Sequence, residues 1–260
     1  MRRFGGFDRW LACLLVTGLC WVGCKDTDAE NQLNIYAASS LAEAFRALTH
    51  GFVERHPNAN VSVTFAGSQV LRLQIEQGAT ADVVATANPE HMQSLTDGGF
   101  VSEKVVFAHN ALAIVVPLNN PAQIEAFSDL PRAKRLVLGT EGVPVGRYAQ
   151  QMLSKAEAQF TPDFVRSIQQ NVVSKENNTR LVRAKVALGE ADAAIVYRTD
   201  AVSSAEVKRV EIPPALNVRA EYLQAVLSTS QDNALARAWM TYVSSPAGQA
   251  ILAQHGFEVD

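Results

Sequence analysis

Cysteine is nearly absent from this sequence of 260 residues. The three cysteines, Cys13, Cys20 and Cys24, all lie near the N-terminus. The rest of the chain therefore has no disulfide, no thiol nucleophile and no cysteine metal ligand. A body of this length has enough apolar material for a buried core and must be stabilised by packing alone.

The sequence also lacks an excess of positive charge. Lys and Arg together number 23 against 26 Asp and Glu, which gives a formal net charge of -3. This composition lacks the excess of basic residues that binds DNA or RNA, so we expect no nucleic-acid partner. An anionic ligand would have to be held by local groups, because the overall field of the protein does not attract it.

Motifs of catalysis are missing as well. No G-x-S-x-G elbow surrounds a serine, and the glycines of GTEGVPVG lack the lysine of a phosphate-binding loop. Asp82 and Asp192 resemble carboxylates at strand starts more than an acid–base pair. We therefore expect no enzyme, no cofactor and no directly bound cation; an exported hydrolase of phosphate or sulfate esters is the less favoured alternative. Five histidines lack metal-ligand spacing: His50, His56, His91, His109 and His255.

The N-terminus has the order of a secretory signal. Arg2 and Arg3 precede an apolar run, residues 10–22, which is too short for a membrane span. Small residues follow, so residues 1–24 are predicted to be a signal peptide. We expect the protein to be exported to the periplasm or cell envelope.

The predicted cleavage region, WVGC, resembles a lipobox, in which the cysteine is lipidated and becomes the new N-terminus. That residue is Cys24, while Trp21 departs from the leucine usual at its place. The polar residues 25–32, KDTDAENQ, would then tether the folded body to a membrane surface. We expect the body itself to be soluble and monomeric, since nothing apolar remains at its N-terminus.

The body alternates strand-like and helix-like segments, which predicts βαβ units and mainly parallel sheets. The first helix has Leu41, Phe45, Leu48, Phe52 and Val53 on one face, the period of a helix packed on a sheet. The predicted strands are 33–37, 61–65, 82–87, 111–116, 135–138, 171–173, 193–197, 207–212 and 222–227. The other predicted helices are 68–77, 89–97, 144–158, 162–170, 178–189, 231–244 and 246–254.

The order of these units predicts two lobes. Three βα units precede residue 111 and three follow, before a Pro213-Pro214 break leads to a late strand and two helices. We therefore assign residues 33–110 plus 214–260 to one lobe and 111–213 to the other. Ligands of open α/β sheets lie outside the carboxyl ends of the strands, so a ligand would sit in the cleft between the lobes.

Hydroxyl and small residues recur where strands give way to helices. Each has an ordinary explanation as a helix cap, a proline start or a packed side chain. In the alternative, hydroxyls and free helical N–H groups point at an anion. Because such residues recur at one edge of the sheets, we favour the interpretation as an anion-binding site. The residues concerned are Ser39, Ser40, Ser68, Pro144, Asn178, Thr179 and Tyr197.

An ordered set of short motifs makes residues 33–260 resemble the molybdate-binding proteins of bacterial ABC importers. The resemblance implies a type II periplasmic-binding fold: an α/β protein of two lobes, each a mostly parallel sheet flanked by helices, with the ligand in the interlobe cleft. The motifs are AASSL (37–41), FAGS (65–68), GAxADVVATA (78–87), VPVGRYA (143–149), ENNTR (176–180) and IVYRTDA (195–201).

The resemblance also implies how the ligand is held, by neutral donors and without a cation. Gly67 stands where some members have serine, Val145 where alanine is frequent and Thr179 where valine is common. A backbone donor survives the last two changes. The implied ligands are the hydroxyls of Ser40, Ser68 and Tyr197 and the amides of Val145 and Thr179, with Ser39 as a possible addition.

The function that the resemblance implies is capture of molybdate, and of tungstate, for delivery to an ABC permease. Molybdenum would be bound as its oxyanion. Removing a dianion from water is costly unless its oxygens keep hydrogen bonds, which helix N-termini and hydroxyls can supply. Sulfate or another tetrahedral oxyanion remains the alternative, because selectivity against a smaller anion depends on cavity size.

Overall fold

The computed structural model describes residues 31–230 and 233–259. The predicted signal peptide, the lipidation site Cys24 and residues 25–30 of the tether lie outside the described residues. Within the described part, no helix is both long enough and apolar enough to span a bilayer.

Strands and helices alternate along the described chain. The strands are β1 (Gln32–Ala38), β2 (Asn60–Ala66), β3 (Val83–Thr86), β4 (Val101–Asn110), β5 (Leu112–Pro117), β6 (Leu136–Gly139), β7 (Val172–Glu176), β8 (Ala193–Tyr197), β9 (Val207–Glu211) and β10 (Ala220–Leu227). The α-helices are α1 (Ala42–Arg55), α2 (Ser68–Glu76), α3 (Pro89–Asp97), α4 (Pro144–Glu157), α5 (Pro162–Gln170), α6 (Thr179–Ala187), α7 (Arg198–Val202), α8 (Asn233–Ser244) and α9 (Pro246–Gln254). Two 3₁₀ segments are Ser39–Leu41 and Phe127–Arg132.

The strands form two five-stranded sheets of the same design. Their orders are β2-β1-β3-β10-β4 and β7-β6-β8-β5-β9. In the first sheet β1 is parallel to β2 and β3, whereas β10 is antiparallel to both of its neighbours. In the second, β6 is parallel to β7 and β8, and β5 is antiparallel to both of its neighbours. The predicted two-sheet α/β fold is confirmed, with one reversed strand in each sheet.

The chain passes between the sheets twice. It leaves the first sheet after β4 and returns to it with β10, so the strands from β5 to β9 all belong to the second sheet. We call the first sheet with its helices lobe 1 and the second sheet with its helices lobe 2. The exact residue boundaries assigned from the sequence stay a prediction.

One face of α1 is packed against the sheet of lobe 1. Phe45, Leu48 and Phe52 are fully buried, as their helical spacing predicted. Val53 is only partly buried, so the buried face is narrower than expected. Trp239 of α8 closes this core with edge-on contacts to Phe45 and Phe52. This packing fixes the N-terminal end of α1 at the carboxyl edge of the sheet.

Candidate functional site

Four turns that follow strands meet at one small cavity between the lobes. Two belong to lobe 1, after β1 and β2, and two to lobe 2, before α4 and α6. The free volume inside it is small, about 10 Å³, and every residue that lines it is uncharged. All six ligand residues predicted from the sequence are among the lining residues. The residues that line the cavity are Ala38, Ser39, Ser40, Ala66, Gly67, Ser68, Ala87, Val143, Pro144, Val145, Thr179 and Tyr197.

Three of the helix starts at this cavity have no side-chain cap. The residues at the N-cap positions are Ala38 for the 3₁₀ turn that leads into α1, Gly67 for α2 and Val143 for α4. The explanation of Ser40 and Ser68 as ordinary N-caps is therefore wrong. Uncapped first-turn N–H groups and the helix dipole together make a helix start attractive to an anion.

Ser40 is held by a polar chain that crosses the interior of lobe 1. Its hydroxyl lies 2.8 Å from the Tyr222 hydroxyl, and Asn110 Nδ2 lies 3.4 Å from the same phenol oxygen. Asn110 Oδ1 accepts from the Ala111 N–H, which fixes the amide orientation. Because Nδ2 can only donate, Tyr222 accepts from Asn110 and is free to donate to Ser40. The Ser40 proton is then available to the cavity.

Tyr222 and Asn110 were not predicted from the sequence. Tyr222 is fully buried in β10, and burial raises the pKa of its phenol above the ordinary value, so the group stays neutral. Asn110 ends β4, the strand that leads into lobe 2, and is also fully buried. A polar residue at the end of a strand beside a lobe crossing is the one signal that could have singled out Asn110.

Ser68 is the first residue of α2 and is almost completely buried. Its hydroxyl oxygen accepts a hydrogen bond of 3.1 Å from the N–H of Ala87, the residue just beyond β3. The hydroxyl oxygen is therefore occupied as an acceptor, and its proton can be donated into the cavity. This bond also ties the start of α2 to the neighbouring strand.

Thr179 is the first residue of α6 and lines the cavity. The cap of this helix is Asn178, whose side chain accepts from the Leu181 N–H at 3.0 Å. The Thr179 hydroxyl donates to Asp200 Oδ2 at 2.8 Å. The hydroxyl that Thr179 has in place of a valine methyl group is therefore bound to a buried carboxylate. Burial raises the pKa of Asp200 to about 6, against the opposing effect of the Thr179 hydrogen bond.

Tyr197 ends β8 and is 1% exposed. Its ring makes edge-on contacts with Tyr222 and Tyr148, at centroid distances of 5.7 and 6.4 Å. The hydroxyl has no hydrogen-bond partner among the described residues. Burial raises the pKa of Tyr197 well above its usual value, so the phenol is a neutral donor. Val196 belongs to the core on the opposite face, as strand alternation predicted.

Two ion pairs connect the lobes beside the cavity. Arg180 of α6 lies 2.6 Å from Glu43 of α1, and Arg147 of α4 lies 3.4 Å from Glu90 of α3. Neither arginine lines the cavity. Their half-exposed side chains are instead paired with carboxylates of the other lobe.

Backbone groups also meet across the cleft. Gln69 Nε2 donates to the Asn177 carbonyl at 2.7 Å, and His91 Nε2 lies 2.9 Å from the Gly142 carbonyl. A Cβ atom added to Gly67 would lie 2.6 Å from the same Asn177 oxygen, which is too close for any side chain. The lobes therefore touch, and Gly67 permits the contact.

Other features of the described residues do not form a competing site. They contain no cluster of three or more His, Cys, Asp or Glu side chains that could hold a metal ion. A larger groove, of about 320 Å³, lies beside the two crossings between the lobes, where Arg198, Arg219 and Glu258 form ion pairs. None of the predicted ligand residues lines this groove.

A two-lobed α/β protein with a small, donor-lined cavity at the carboxyl ends of both sheets has the architecture expected of a protein that holds a small solute between its lobes. The chain belongs to the family of bacterial extracellular solute-binding proteins, which matches residues 33–258.

The relatives of the chain include importer proteins. The molybdate-binding protein ModA of Mycobacterium tuberculosis is 34% identical over 268 residues, which cover 99% of each chain. The putative ABC transporter substrate-binding lipoprotein YvgL of Bacillus subtilis is 28% identical over 265 residues, which cover 100% of this chain and 99% of that protein. The solved sulfate-binding protein SubI of Mycobacterium tuberculosis superposes with a TM-score of 0.78 at 20% identity over 88% of each chain; this likeness establishes the fold alone. The resemblance to the molybdate-binding proteins is confirmed.

Proposed function

We propose that this protein captures molybdate outside the cytoplasm and delivers it to the permease of an ABC importer, with tungstate as a second ligand. The observation that carries the proposal is the convergence of six uncharged residues, from five separate segments of the chain, on one cavity. The full-length similarity to ModA supports molybdate as the ligand. The bound group would be the oxyanion, with Ser40, Ser68, Val145, Thr179 and Tyr197 as its donors and Ser39 as a further candidate.

The donor chemistry suits a tetrahedral dianion. Three hydroxyls can each offer a proton, because the Ser40 and Ser68 oxygens are already engaged by Tyr222 and Ala87 and the Tyr197 hydroxyl has no partner among the described residues. Helix starts add N–H donors, each end carrying roughly half a unit of positive charge. Neutral donors of this kind bind the anion firmly and still release it when the lobes separate at the permease.

Isothermal titration of a protein that starts near Lys25 tests the choice of anion. We expect one equivalent of molybdate or tungstate to bind, and sulfate and phosphate to bind much more weakly, because the full-length relative ModA is a molybdate-binding protein. Tight binding of sulfate with weak binding of molybdate would reverse the assignment in favour of the sulfate alternative.

The same protein should bind without turnover. A solute-binding protein takes up its anion stoichiometrically, whereas an ester hydrolase releases product continuously. Incubation with chromogenic phosphate and sulfate esters is therefore expected to give no product. Steady release that disappears in the Ser68→Ala variant would instead support the hydrolase alternative.

We further propose that the protein is exported and held at a membrane by a lipid on Cys24. The proposal rests on the lipobox-like WVGC segment and on the similarity to a relative described as a lipoprotein. The Cys24→Ala variant should appear in the soluble fraction, while the unchanged protein stays with the membrane. A Cys24→Ala variant that remains with the membrane would refute the lipid anchor.

A body that starts near Lys25 should elute as a monomer on size-exclusion chromatography.

A further inference from the structure

Asp200 is a buried carboxylate in contact with one of the residues that line the anion cavity. It lies in α7, is 2% exposed and does not itself line the cavity. Its Oδ2 accepts the hydrogen bond of 2.8 Å from the Thr179 hydroxyl, and Thr179 lines the cavity as the first residue of α6. A negative group therefore lies behind the same helix start that would receive the dianion.

The positive charges of Arg183 and Arg180 favour the ionised form of the Asp200 carboxylate, but burial outweighs them, so the pKa is still raised. From α6, Arg183 donates to the backbone carbonyl of Asp200 at 2.9 Å, and Arg180 is engaged with Glu43 of α1. From β8 and β10, the buried phenols of Tyr197 and Tyr222 are neutral. The remaining contact to the carboxylate is the Thr179 hydroxyl, a neutral donor.

A dianion in the cavity would disfavour the charged form of this carboxylate further. Like charges in a buried region raise the pKa of a carboxyl group, and Asp200 starts from a value of about 6. Protonation would also change the hydrogen bond. A protonated Oδ2 can donate to the Thr179 oxygen, whereas the ionised carboxylate can only accept.

Resting on the proposed function, we propose that Asp200 takes up one proton when the oxyanion binds and so releases the Thr179 hydroxyl to the anion. The proton comes from solvent and forms an O–H bond on Asp200. The Asp200–Thr179 hydrogen bond then reverses, with Asp200 donating and Thr179 accepting. The Thr179 proton becomes a further donor in the cavity, and Asp200 acts as a positioning residue.

The sign of the pH dependence follows from the proton uptake. A group that gains a proton on binding favours binding at lower pH, by at most a factor of ten per pH unit for one proton. Affinity should therefore rise as the pH falls from 8 towards 6. This range lies at pH values where the oxyanion stays fully ionised, so the anion itself does not contribute.

Titration calorimetry with molybdate at pH 7, in buffers of different ionisation enthalpy, measures the proton uptake directly. We expect a fraction of a proton, up to one, per bound anion in the unchanged protein. Asp200→Asn should abolish the uptake and flatten the pH profile between pH 6 and 8. Asp163→Asn, which changes an exposed carboxylate on α5, should retain both. Thr179→Val should lose more affinity at pH 6 than at pH 8, because the released hydroxyl is missing.

Two results would overturn the proposal. One is molybdate binding to the unchanged protein without proton uptake. The other is proton uptake that persists in Asp200→Asn, which would assign it to another group such as His91. Infrared difference spectra of the unchanged protein provide a second measurement that needs no variant. Binding should produce the carbonyl band of a protonated carboxyl group, and its absence would equally refute the idea. If no oxyanion binds at all, the proposed function fails instead.

Discussion

At the scale of single residues, Tyr197 combines complete burial with a hydroxyl that has no partner among the described residues. An unsatisfied buried hydroxyl costs about 1–3 kcal/mol of stability. A ligand that accepts a hydrogen bond from it would remove this cost. The ring contacts of Tyr197 with Tyr148 and Tyr222 hold the phenol without help from the hydroxyl. The packing and binding roles of the residue can therefore be separated.

Tyr197→Phe is expected to weaken molybdate binding while leaving the ligand-free protein intact. The change keeps the ring and removes one hydrogen bond to a charged group, worth about 1.5–3 kcal/mol. This corresponds to a loss of roughly 10- to 150-fold in affinity. Calorimetric titration gives the affinity, and urea unfolding without ligand provides the control. An unchanged affinity would show that Tyr197 is only a core residue.

Tyr222→Phe tests whether the chain from Asn110 to Ser40 matters for binding. Tyr222 does not line the cavity, but its hydroxyl orients Ser40 through the 2.8 Å contact. Losing one neutral hydrogen bond costs about 0.5–1.5 kcal/mol, so affinity should fall by roughly two- to twelve-fold. In Ser40→Ala the second change should add little, because Tyr222 would act on the anion only through the Ser40 hydroxyl. Full additivity of the two effects would contradict the proposed chain.

At the scale of elements, most segments were predictable because strand and helix periods are local. Strand β8 has the predicted bounds, and α3, α5 and α9 do as well. Strand β4 was missed. Residues 103–106 are all exposed and residues 107–110 are all buried, so the sequence of this strand lacks the alternation on which the prediction relied. Helix α7 was missed because five residues are too few for a helical period.

The candidate site was predictable only in part. The six predicted ligand residues lie in motifs that the sequence shares with a known family. The structure brings all six together at the cavity. The contacts behind them join residues far apart in the chain: Ser40 and Tyr222 are separated by 182 positions. Even Thr179 and Asp200, separated by 21, meet only because α6 and α7 pack together. Local patterns carry no information about such partners.

The start of α2 supplies a prediction at this scale. Gly67→Ala would place a methyl group 2.6 Å from the Asn177 carbonyl of the facing lobe, and that backbone atom cannot rotate away. Closure of the lobes should be hindered, so affinity for molybdate should fall at least about ten-fold. The ligand-free melting temperature should hardly change. Gly142→Ala, where an added Cβ meets nothing within 4 Å, serves as the control and should bind normally.

At the scale of the whole molecule, the site is shared between two lobes. Neither lobe alone carries all of the lining residues, because Ser40 and Ser68 belong to lobe 1 and Val145, Thr179 and Tyr197 to lobe 2. The chain crosses between the lobes twice, and the contacts across the cleft include two ion pairs and two hydrogen bonds beside the ring contact of Tyr197 with Tyr222. Half-exposed ion pairs contribute little stability, about 0–1 kcal/mol each. An anion between the lobes would add hydrogen bonds from both lobes to these contacts.

Molybdate should accordingly stabilise the folded protein in proportion to its binding. A ligand that binds only the native state at about 100 times its dissociation constant adds roughly 2.7 kcal/mol to the free energy of unfolding. Sulfate at the same concentration should add far less, because its dissociation constant is expected to be higher. Thermal unfolding followed by circular dichroism, at matched ionic strength, measures both effects, and the Tyr197→Phe variant should show a smaller shift with molybdate. A melting temperature that rises with sulfate and ignores molybdate would contradict the assignment of the anion, since stabilisation by mass action must follow the tighter ligand.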